Sequence, residues 1–141
     1  MLFRSNNCGA TITNSSFNFG DIAIGVYGTA NPSFNSISIS NYQVPVRMDM
    51  FSNPSFGTVT SNNIGYMGIM IPYATYSQNG TFPIRNFAGY TNITYIIENT
   101  QTINTGTKIT IPAGMSFKFG SITAFDVQGR LDVAEIGRAH V

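Results

Sequence analysis

The side chains that could hold a cation, or work as general acid and base, are Asp21, Asp49, Glu98, Asp126 and Asp132, once Glu135 in the C-terminal tail is set aside. A calcium site needs several oxygen ligands converging on one point. Glycoside hydrolysis needs two carboxylates flanking one bond, roughly 5–9.5 Å apart. The spacing meets neither requirement. Asp126 and Asp132 fall on different strands of one coil, Asp49 falls opposite Tyr27, and Asp21 sits in a variable turn. Arg47 and Asp49 alternate onto one outward face, where a pair of this kind contributes little. The one histidine, His140, also lies in the tail, so serine or cysteine nucleophiles lack a base. Cys8, the single cysteine, reads as a small turn or core residue. No phosphate-cradling glycine loop and no metal-ligand spacing occurs. Catalytic, cofactor-binding and metal-ligating residues are therefore all assigned as none.

The composition says what must surround these few charges. Only 9% of the 141 residues are charged and 13% are aromatic, with a net charge of +1. Disorder combines low hydrophobicity with high charge, so this is not a disordered profile. β-Branched and aromatic residues punctuated by Asn and Gly point to an all-β chain. Without a basic cluster the footprint of a nucleic-acid binder is missing. No run approaches 18 apolar residues, so no membrane span is expected, and no signal peptide is visible in Met1–Asn7.

Organisation comes from a repeat. Asn31-Pro32-Ser33-Phe34 returns as Asn53-Pro54-Ser55-Phe56, and Ile37 and Tyr42 then answer to Val59 and Ile64. A short repeat of apolar and polar alternations means one coil of a solenoid per repeat. Aligning Asn6 with Asn31 and Asn53 places Ile12 in the column of Ile37, Phe17 in that of Tyr42, and three extra residues between Phe17 and Ile22. The next strand reads Ile22, Ile24, Val26, then Val44, Val46, Met48, then Met67, Ile69, Ile71. Asn6, Asn31 and Asn53 are expected to form an amide ladder at a corner.

Residues 72–90 break the pattern with Pro72, Pro83 and Gln78-Asn79-Gly80, predicting an irregular coil or loop. Beyond it the offset of 22 returns, pairing Ile93 with Met115, Tyr95 with Phe117, Ile97 with Phe119, Ile103 with Phe125, Ile109 with Leu131 and Ile111 with Val133. Each coil is expected to carry three short parallel strands, stacked about 4.8 Å apart. An antiparallel sandwich also gives short strands and frequent turns, but requires no fixed offset.

Thr107-Lys108-Ile109-Thr110-Ile111-Pro112-Ala113-Gly114-Met115-Ser116-Phe117-Lys118-Phe119, with Ala124–Leu131, resembles right-handed parallel β-helix (pectin-lyase-like) repeats of large secreted or surface-attached bacterial proteins. Ala10–Phe17 is similar to coils of the same superfamily. The resemblance implies an extracellular or cell-surface location and further coils or domains of a parent chain. It does not choose between inert stalks, adhesins and enzymes. The expected function is a non-catalytic structural or adhesive solenoid segment, on which Tyr27, Tyr73, Tyr76 and Tyr90, expected to face solvent, either give weak polysaccharide binding or are ordinary loop aromatics. The alternative is a fragment of a polysaccharide lyase or glycoside hydrolase whose catalytic residues lie on other coils. Glu135–Val141 resembles the translation of a sequencing-library adapter, which would make 1–134 the solenoid and 135–141 a non-native tail.

Overall fold

The computed structural model describes residues 2–134, and the tail lies outside them. The chain is all-β, a parallel β-solenoid of about six turns with about 22 residues per turn. One sheet runs its whole length. It stacks β1 (Phe3–Asn6), the end of β2 (Thr11–Tyr27), the end of β3 (Ser33–Met48), β6 (Ile69–Ile71), β9 (Tyr95–Ile97) and β12 (Phe117–Phe119). Each of these strands opens one turn.

Two inward columns build the core of this sheet. Ile24, Val46, Ile69, Tyr95 and Phe117 lie in register, and Val26 pairs with Met48 and Ile71 with Ile97. Ile24, Val46, Ile69 and Ile97 are completely buried. Each such side chain contributes roughly 1.5–3 kcal/mol of burial. Tyr95 stacks on Phe117 with ring centroids 5.8 Å apart.

The remaining faces differ between the two ends. In the first three turns the strands do not divide into three. β2 and β3 run 17 and 16 residues around the corners, and β4 (Ser55–Phe56) and β5 (Val59–Ile64) add to β3. Left-handed residues make this bending possible: Asn14 and Ser36 stack at one corner, and Phe19, Asn41 and Asn63 at the next. In the last three turns the strands are separate. β7 (Ala74–Tyr76), β10 (Gln101–Ile103) and β13 (Phe125–Val127) form one sheet, and β8 (Gly80–Thr81), β11 (Lys108–Ile111) and β14 (Arg130–Val133) the other. Between β8 and β9 the chain is irregular, apart from a tight turn bridging Phe87 and Tyr90 through left-handed Ala88 and Gly89.

Several expected alignments are corrected. The second and third turns carry the Asn-Pro-Ser-Phe motif, but the first has no copy of it: Thr11 and Ile12 pair with Ser33 and Phe34. The first-turn offset is thus 22, with no insertion after Phe17, which pairs with Ile39 rather than Tyr42. Tyr42 instead lies over Gly20, where an added Cβ would come within 2.6 Å of its ring. The missing side chain makes room for the large one. Ile103 pairs with Val127, and Gln101 with Phe125, because the Gly120–Ala124 turn adds two residues that the following turn gives back. The Asn6 ladder is not formed, since Asn6 pairs with Tyr27. The amide ladder runs instead through Asn18, Asn41 and Asn63, with bonds of 2.8 and 2.7 Å.

Phe19 is the misfit in that corner. It holds φ +61 where its stacked neighbours are Asn, and it is 69% exposed. Phe19→Asn should stabilise the protein by about 1 kcal/mol, read from urea melts, by removing strain without losing a core contact.

Candidate functional site

The outer face of the continuous sheet carries a surface groove, an open hollow of about 470 Å³ over the third to sixth turns. Period-two alternation sends Gly25, Arg47, Met70, Ile96 and Lys118 outward in one column. Met70 and Ile96 form the floor; Tyr66, 62% exposed, stands at one rim, with Phe119 and Lys118 at the far end. Glu98 lines the groove and is clamped by Arg47, whose Nε and Nη2 both donate to Oε2 at 2.8 and 2.6 Å. Arg47 Nη1 also reaches Tyr27 Oη at 3.4 Å. Burial acts to lower the Arg47 pKa, but the hydrogen bonds to Tyr27 and Glu98 outweigh it and raise it.

The acids do not converge. Arg47 pairs with Glu98 and not with Asp49, because Asp49 turns back to accept the Gly28 N–H at 2.6 Å. Asp132 is held by Arg130 at 2.6 Å and lies 4.0 Å from Lys108, while Asp126 accepts from Gln128. Among the described residues no group of three or more His, Cys, Asp or Glu side chains is placed to hold a metal. The groove can therefore seat a flat, weakly polar ligand against Tyr66 and the Met70–Ile96 floor.

Of the tyrosines expected to face solvent, Tyr73 and Tyr90 do. Tyr27 is half-buried beside Arg47, and Tyr76 is a core residue, 2% exposed. Cys8 is exposed at a bend, where its carbonyl accepts the Asn31 N–H, and is not in the column of Ser33; of the two readings of it, the turn holds and the core does not. Tyr66 and the Arg47–Glu98 clamp were not legible in advance. The outward column could be read from the offset, but the clamp spans 51 residues and crosses the irregular turn.

Two buried tyrosines set an alkaline limit. Burial pushes Tyr95 up to about 12, against the neighbouring Arg85 guanidinium, and burial also raises Tyr76. The unfolded chain ionises these groups near pH 10 and the folded chain does not. Stability is thus complete below pH 10 and falls as pH rises from 10 to 12, by about 2–3 kcal/mol for Tyr95 alone. Denaturant melts across that window would show it, with late tyrosinate absorbance as the companion signal.

No protein family, curated protein or solved structure matches this chain. Among the described residues no helix is long and apolar enough to cross a membrane.

Proposed function

We propose that this chain is a structural or adhesive solenoid segment of a larger extracellular or cell-surface protein, with weak polysaccharide binding in the outer groove. The observation that carries the reading is the scatter of the acids: Asp49, Glu98 and Asp132 are each engaged by a different partner. The sheet's core, by contrast, continues through every turn. The chain thus invests its sequence in a rigid stack more than in a reactive centre. The pectin-lyase-like pattern of residues 107–131 supports the extracellular setting, and the exposed Tyr66 beside an apolar floor suits sugar stacking.

Affinity electrophoresis in gels carrying neutral and acidic polysaccharides, with and without calcium, tests both halves of this reading. Weak retardation should appear and be lost in Tyr66→Ala, with no depolymerisation. Release of unsaturated or reducing sugar ends would favour the lyase or hydrolase alternative. Retardation unchanged in Tyr66→Ala would remove the groove from the reading.

A further inference from the structure

The sixth turn presents three strand edges, those of β12, β13 and β14, that no described strand covers. They surround a hollow of about 350 Å³ floored by Ile111, Phe117, Phe125 and Leu131. Phe119, Val127 and Val133 are each more than 40% exposed at its rim. Unpaired edges around an apolar hollow form a template for further strands.

The charges on this rung select what fits. Its strands carry four: Lys118 at the centre of β12, Asp126 at the centre of β13, and Arg130 and Asp132 flanking Leu131 on β14. All four alternate away from the core residues Phe117, Phe125 and Leu131. Consider a second copy turned end for end about a two-fold axis through Leu131 and the opposite corner between β12 and β13. β14 then pairs antiparallel with its own copy, which places Arg130 opposite the second copy's Asp132, and the reverse. β12 pairs antiparallel with the second β13, which places Lys118 opposite Asp126, twice over. Phe117 meets Val127 and Phe119 meets Phe125 on the inner side. Every charge on the rung meets its opposite, which favours cross-strand pairing.

The head-to-tail alternative lacks this fit. The first turn offers the edges of β1 and of the Thr11–Ile22 part of β2, and continuing the register of the continuous sheet would set Arg4 above Lys118. We propose that the sixth turn is a self-complementary docking surface for a second copy of this chain, joined symmetrically end to end. The surface rests on the solenoid geometry and not on the functional reading above. A further coil supplied by a longer chain would compete for the same edges.

Sedimentation equilibrium on the 141-residue chain tests the proposal. A concentration-dependent dimer is expected, weakening with salt. Lys118→Glu should raise its dissociation constant about tenfold or more, because like charges then face each other across both β12–β13 pairings. The double exchange Lys118→Glu with Asp126→Lys should restore dimerisation, since each copy then supplies the complement of the other. Both side chains are exposed, so far-ultraviolet circular dichroism should be unchanged in each variant. A monomer at every concentration overturns the proposal. So does a dimer indifferent to Lys118→Glu, or a double exchange that fails to restore pairing.

Discussion

Phe82→Ala should lower the unfolding free energy by about 3–5 kcal/mol, among the largest losses expected from a single truncation in this chain. Phe82 is completely buried and is the hub of the later turns. Its ring meets Phe117 at 5.3 Å, Tyr95 at 5.7 Å, Phe125 at 6.2 Å and Tyr76 at 6.5 Å, each edge to face. Removing it opens a cavity among four aromatic neighbours held by strands of two different sheets, which cannot all move inward together. Urea denaturation followed by circular dichroism gives the number. Phe119→Ala is the control: that ring is 47% exposed on the last rung, and its loss should cost far less. Comparable losses from the two variants would mean that Phe82 is not the hub.

The second large effect is expected at Gln101. Its side chain is completely buried, yet every polar atom is met. Oε1 accepts from Tyr76 Oη at 2.6 Å, and Nε2 donates to Pro72 O and Asn99 O, both at 2.8 Å. Gln101→Ala would leave the Tyr76 hydroxyl and the Pro72 carbonyl short of partners in the buried interior, at a cost of about 1–3 kcal/mol each, while the carbonyl of exposed Asn99 can turn to water. With the cavity added, a total of about 3–5 kcal/mol follows. Tyr76→Phe removes one bond and keeps the ring, so about 1–2 kcal/mol is expected. If Gln101→Ala and Tyr76→Phe prove equally mild in thermal melts, the network does not organise the fourth and fifth turns.

The architecture was legible because a parallel stack writes its spacing into the sequence. Tyr95 with Phe117 and Ile109 with Leu131 keep one offset, and the structure stacks both pairs. What misled the reading was composition. Asn occurs so often that Asn6 could be laid on Asn31, whereas the true partner column begins at Gly9 and includes a glycine, Gly20, chosen to accommodate Tyr42. Phe82 was hidden for a different reason: prolines and a turn surround it, so no periodicity marks it as core. Tyr76 was missed because an alternating pattern cannot show that its hydroxyl has a buried glutamine to meet. The Arg47–Glu98 clamp joins the third turn to the fifth, over an irregular connection that no fixed offset describes.

The third and fourth turns meet through one strand pairing only, Val46 with Ile69 and Arg47 with Met70. Elsewhere at that level the contacts are side chains: Phe51 on Tyr76, Phe56 on Phe87, and Arg85 donating to the carbonyls of Ser52 and Pro54. In a stack whose stability is summed over neighbouring interfaces, this seam is the weakest joint. Such a rod behaves less like a uniform beam than like two stiff cylinders sharing a leaf spring, and tension along its length would part it there first.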